Sequence, residues 1–207
     1  MKYERDKVKA WAGDNQWKAL QADLARFHVH GFSGWATEGF WALAIFRFQK
    51  IASKGKPRWL WLPARIVLAV VKKLFTLITH ISIDVGAEIG PGMLIPHVGP
   101  IRIHEDTRMG ADCAVHHVCT IGADSQGNSG AIIGDHVFIS CHSSIIGKVV
   151  IGDGAMIAAN SLVITNVPAG ATAIGVPAKI LPAIWKSTAS APSQAVAAAA
   201  QHAPVTQ

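Results

Sequence analysis

At 207 residues, half of them hydrophobic and 15% charged, the chain has enough apolar mass for one packed domain and an appendage. Its three cysteines, Cys113, Cys119 and Cys141, are too sparse and odd in number for a disulfide framework, which predicts a reducing, cytoplasmic setting and roles as small buried apolar residues. The net charge of +6 is uneven: residues 1–78 carry 14 Lys/Arg against 5 Asp/Glu, and residues 79–207 carry 5 against 8.

Residues 1–78 also hold six of the seven Trp and show helical spacing, so two or three helices are expected there. A basic, Trp-rich segment suits a helical cap on the following domain. It also suits peripheral contact with an anionic membrane, at its inner face; nucleic acid is not expected. The start MKYERDKVKAW lacks the apolar stretch of a signal peptide. The greasiest run, residues 59–79, is interrupted by Pro63, Arg65, Lys72 and Lys73. It reads as a helix buried on one face or lying on a surface, short of the roughly 18 uninterrupted apolar residues of a span.

Residues 79–182 carry the main signal, a period of six. Ile83, Ile89 and Ile95 are so spaced; so are Ile103, Met109, Val115 and Ile121; so are Ile133, Ile139, Ile145, Ile151, Ile157 and Val163. Six is a multiple of the strand period and does not fit a 3.6-residue helix. The physical solution is a coil of short parallel strands, each hexad forming one flat side with its apolar residue inward. Three hexads close a triangular turn of about 18 residues, and turns stack at about 4.8 Å. Residues 183–207 are an Ala-rich polar tail with no apolar face, expected to be disordered.

The segments ISIDVGAEIGPGMLIPHVGPIRI (81–103), VHHVCTIG (115–122) and NSLVITNVPAGATAIGVPAKI (160–180) resemble the hexapeptide-repeat acyltransferases, within them the serine O-acetyltransferase-like branch. The resemblance covers about residues 40–182. It implies an all-β solenoid, a left-handed parallel β-helix after a short helical region, and a homotrimer with acyl-CoA in clefts between subunits. It implies acetyl-CoA as co-substrate, an O-acetyltransferase activity, and no metal. Shorter relatives with a similar lead-in resemble acetyltransferases of sugars and exopolysaccharides, so the first expectation for the acceptor is a sugar or exopolysaccharide precursor. Serine is the alternative, and a catalytically inactive β-helix scaffold is the alternative of another class.

The period breaks twice, and breaks in a rigid coil are where function can protrude. Two extra residues fall between Ile95 and Ile103, around Pro96-His97-Val98-Gly99-Pro100, where His97 is the one ionisable group. An imidazole titrates near pH 6.5 and can take the proton of an attacking hydroxyl, so His97 is the candidate general base. It matches the family's catalytic His. The second break is the polar stretch Ala123–Ala131. His117 lies 20 residues after His97, one turn plus the two inserted residues, which predicts equivalent positions on adjacent turns. His117 is the candidate substrate-binding residue, and a solvated surface role is its alternative. His116 should point the opposite way.

On the donor side, Ala158, Gly175 and Lys179 match the family's CoA-binding positions, with Lys179 able to face a phosphate. The family's serine-binding Asp is replaced by Pro96, and the acidic partner of its catalytic His by Ser82. No His occurs in 123–131, where the family has its second active-site His. Asp84, Glu105 and Asp106 remain as candidates to orient His97. A zinc site of His97, His117 and His142, as in hexapeptide carbonic anhydrases, is a minor alternative without the family's zinc spacing.

Overall fold

The computed structural model describes residues 15–31, 36–57 and 59–182. The Ala-rich tail lies outside the described residues. Among the described residues three helices lead in: α1 (Gln16–Val29), α2 (Glu38–Lys54) and α3 (Leu62–Thr79). The Asn15 side chain caps α1 by accepting from the Lys18 amide at 3.0 Å. Pro63 occupies the first turn of α3, where its missing N–H costs nothing.

Fourteen short strands follow and fall into three parallel columns. One side stacks β1 (Ile81–Ile83), β3 (Ile101–Ile103), β6 (Cys119–Gly122), β9 (Ser144–Ile146) and β12 (Leu162–Val163). The second stacks β2 (Glu88–Ile89), β4 (Arg108–Met109), β7 (Ile132–Ile133) and β10 (Val150–Ile151). The third stacks β5 (Ala114–Val115), β8 (Phe138–Ile139), β11 (Met156–Ile157) and β13 (Thr172–Ile174), closed by the antiparallel β14 (Lys179–Leu181). The result is a left-handed parallel β-helix of about five turns. All thirteen phased Ile, Val and Met residues are buried in its bore, none more than 4% exposed.

The register locates each departure from the 18-residue turn. Ile81 pairs with Ile101 and Leu94 with Ala114, so the two extra residues lie after Leu94 and before Ile101. Arg108 pairs with Ile132, an offset of 24 that accommodates the loop around 123–131. A third irregularity escapes the sequence reading: Ile151 pairs with Val167 and Met156 with Thr172, an offset of 16. Two residues are missing between Val163 and Val167. The hexad run ends at Val163, so a shortened side has no phase left to betray it.

The helices dock on the first turn. Arg47 of α2 is fully buried and reaches Asp23 of α1, the Gln16 side chain, and the carbonyls of Ile89 and Gly90 at 2.7 and 2.6 Å. Asp23 in turn accepts from the Met93 amide at 2.9 Å. Gly39 of α2 sits against the backbone carbonyl of Ile95, where a Cβ has no room. The helix thus packs two residues before His97.

Candidate active site

Every turn passes from the third side back to the first through one edge of the prism. Along it lie His97, His117 and Cys141 on successive turns, then the Ala158–Asn160 and Gly175–Pro177 segments. Because Leu94 pairs with Ala114, His97 stands level with His117. Their ring centroids are 5.9 Å apart, edge to face, near one strand spacing. The expected juxtaposition is present.

The inserted residues fold the chain back over His117. Gly99, at φ 146°, lies so close that a Cβ would meet the His117 Cβ at 2.9 Å. Only glycine lets the bulge close on that imidazole. The Nδ1 of His117 is shielded and has no hydrogen-bond partner, so contact with an acceptor would fall to Nε2. His97 itself is exposed at the crest of the bulge.

His116 corrects the expectation that it points away. Its ring lies 5.7 Å from that of His97 and 4.9 Å from that of Phe138. The bulge carries His97 sideways across the neighbouring turn, which a count of residues per turn cannot reveal. Burial is the main force lowering the His116 pKa, and the nearby His97 and His117 add to it. A fourth imidazole, His142, lies 5.8 Å from His117. It occupies the left-handed corner position, φ 59°, that Val118 and Asn160 take on the flanking turns. The signal available in the sequence was the His116-His117 doublet itself. Among the described residues, no group of three His, Cys, Asp or Glu side chains is placed to hold a metal ion.

Two of the carboxylates considered for orienting His97, Asp84 and Asp106, are engaged elsewhere. Asp84 pairs with Lys72 at 3.5 Å, and Asp106 is bound by the Ser129 hydroxyl and faces His104 at 3.7 Å. The loop around 123–131 is organised by Asp124, whose carboxylate accepts from the Gln126 and Asn128 amides at 2.9 Å and from the Asn128 side chain. Those hydrogen bonds, Asn128 first, hold the Asp124 carboxyl below its ordinary pKa. This loop leaves from the edge between the first and second sides, whereas His97 stands on the edge between the third and first.

Of the donor-side positions, Ala158 gives its amide to the Ala173 carbonyl at 2.9 Å and accepts from the Ser143 hydroxyl. Gly175, at φ 98°, carries the turn into β14, and its carbonyl accepts from the Leu162 amide. Lys179 is exposed and pairs with Ile174 across the closing hairpin. All three lie on or beside the His97 edge, toward the far end of the coil. Cys113 and Cys119 are buried, and burial pushes the Cys113 thiol up to about 12.

Comparison with known proteins agrees with this geometry. Residues 130–165 match the family described as "Bacterial transferase hexapeptide (six repeats)". A serine acetyltransferase of Helicobacter pylori (strain J99) is 32% identical over 117 residues, spanning 56% of this chain and 68% of that protein. The chain belongs to the hexapeptide-repeat acyltransferases, in their serine O-acetyltransferase-like branch. Among solved structures, the soybean serine acetyltransferase apoenzyme superposes with a TM-score of 0.68 at 26% identity, over 82% of this chain and 70% of that one. A serine acetyltransferase in complex with CoA gives a TM-score of 0.68 over 86% and 73%; at 22% identity it speaks for the fold alone. As a member of this branch the chain is an acetyl-CoA-dependent O-acetyltransferase. The relatives favour serine over the sugar or exopolysaccharide acceptor expected first.

Proposed function

We propose that the chain transfers the acetyl group of acetyl-CoA to the hydroxyl of serine, with His97 as general base. The observation that carries the acceptor is the 32% identity to a serine acetyltransferase across two-thirds of that enzyme's length. The His97 imidazole removes the hydroxyl proton as the oxygen attacks the thioester carbonyl. The new carbon–oxygen bond forms, the carbon–sulfur bond breaks, and the proton passes on to the departing CoA thiolate. His117 contacts the acceptor or the tetrahedral oxyanion through Nε2. Ala158, Gly175 and Lys179 hold the CoA, with the thioester reaching along the shared edge toward His97.

The assembly is a homotrimer of the 22.0 kDa chain. The support is that a convex prism edge offers only one wall of a cleft, so a neighbouring copy would supply the other. Light scattering should read about three times the chain mass.

A sugar hydroxyl is the second reading, favoured by Pro96 and by the lack of any His in 123–131. An acceptor panel separates the two: CoA release from acetyl-CoA is followed with serine, homoserine, nucleotide sugars and polysaccharide repeats. Serine-dependent release supports the first reading. Release with a sugar and none with serine overturns it.

A further inference from the structure

We propose that α3 is a lipid-docking element that seats the enzyme on an anionic bilayer surface. The helix is amphipathic in the inverse sense. Its polar side chains, Lys73 apart, face the protein: Arg65 donates to the carbonyls of Ala52 and Ser53 at 2.9 and 2.7 Å, Lys72 pairs with Asp84, and Thr76 donates to the Ile81 carbonyl at 3.0 Å. Phe75 packs on the core, but most of the helix's large apolar side chains face water. Ile66, Val67, Val70, Leu74, Leu77 and Ile78 are each more than half exposed. At 1.5 Å per residue, Ile66 to Ile78 make a nearly continuous apolar face about 18 Å long, more than isolated surface hydrophobes require. No helix among the described residues is long and apolar enough to cross a membrane, so the face would lie in the interface plane.

Charge selects the occupant. Between Glu38 and Asp84 the sequence contains no acidic residue and eight Lys/Arg. Lys73 projects from the outer side of α3, and Lys54 and Lys56 precede the helix. Trp59, 74% exposed just before α3, supplies an amphipathic ring of the kind that settles at headgroup level. A second copy docked on this face by a two-fold would set like charges against each other, with no carboxylate on the segment to pair them. Anionic headgroups answer the cations, and acyl chains answer the apolar side chains, with Lys73 able to extend its stem back to the surface.

The test is co-flotation of the full chain with vesicles of phosphatidylcholine, alone or with added phosphatidylglycerol. The expected result is binding to the anionic vesicles, weakened by salt, and little binding to the neutral ones. Lys73→Gln should weaken partition about fivefold. The double variant Leu74→Gln/Leu77→Gln should weaken it by about tenfold or more. Acetyl transfer to a soluble acceptor should be unchanged in both variants, which establishes that they fold. Failure of the wild type to float with anionic vesicles overturns the proposal, as does equal binding by the double variant or equal binding to neutral vesicles. A fall in solution mass in the double variant, with no vesicle binding by the wild type, would assign the face to contact between copies. None of these outcomes depends on which hydroxyl is acetylated.

Discussion

The guanidinium of Arg47 holds both carboxylate oxygens of Asp23, at 3.0 and 3.3 Å, with neither side chain open to solvent. The pair joins two helices, and each partner also grips the first turn of the coil, through the carbonyls of Ile89 and Gly90 and the amide of Met93. Burial pushes the Asp23 carboxyl up in pKa, while Arg47 and the Met93 amide oppose that push. Removing one partner would leave a buried charge or several buried carbonyls unanswered. Arg47→Met should therefore lower stability by about 3–5 kcal/mol in urea unfolding. Arg47→Met/Asp23→Leu should lose less than the sum of the single changes, since the double variant strands no charge.

His97 governs the chemical step in the proposed reaction. His97→Ala should lower kcat by about 10²–10⁴ with little change in acetyl-CoA affinity, because the donor is held at the far end of the edge. His97→Asn should be nearly as poor. His117→Ala should cost about tenfold, the scale of an assisting contact. Steady-state kinetics across pH 6–8 measure all three. A His97→Ala variant that keeps more than about half of wild-type kcat would remove His97 from the base role.

His116 should make the fold sensitive to acid. Its pKa in the folded state is lowered, so the unfolded chain binds this proton more readily than the folded one. The contribution is absent well above the unfolded value near 6.5, and stability is lost as pH falls through that value toward the lower folded one. His116→Gln should flatten this part of the profile. The check is the urea midpoint of wild type and variant between about pH 5 and 7.5; parallel profiles would refute the assignment.

Gly39 ties the helical region to the active-site bulge. A Cβ there would press on the Ile95 carbonyl, two residues before His97. Gly39→Ala should destabilise by about 1–3 kcal/mol through overpacking. It should also lower kcat more than the apparent affinity for either substrate. Thermal unfolding together with kinetics on the folded variant tests both parts.

The coil is legible in the sequence because each hexad repeats one local demand, an inward apolar side chain, and Ile83 through Val163 answer it in phase. The level placement of His97 and His117 is legible for the same reason: in a rigid solenoid, sequence distance becomes geometry by counting. Counting fails where the backbone leaves the solenoid. The sideways swing of His97 toward His116 depends on the path of five residues through Pro96 and Gly99. The short side before Val167 falls after the last phased residue. The Arg47–Asp23 clamp links positions 24 apart on separate helices, and no period connects them. α3 is ambiguous in sequence, since an inverted amphipathic helix has the same spacing as an ordinary one. Only the contacts of Arg65, Lys72 and Thr76 reveal which side faces in.

The antiparallel strand β14 bears on solubility. A stack of parallel strands ends in a row of unsatisfied amides and carbonyls, a template on which another chain could continue the ladder into a fibre. Here β14 runs against β13 with reversed polarity, and the segment leading into it takes up both the amide and the carbonyl of Leu162 on the adjoining side. At the opposite end the Arg47 clamp occupies the carbonyls of Ile89 and Gly90. A strand of reversed polarity on the third side and two occupied carbonyls at the first turn both disfavour continuation of the parallel ladder by another copy.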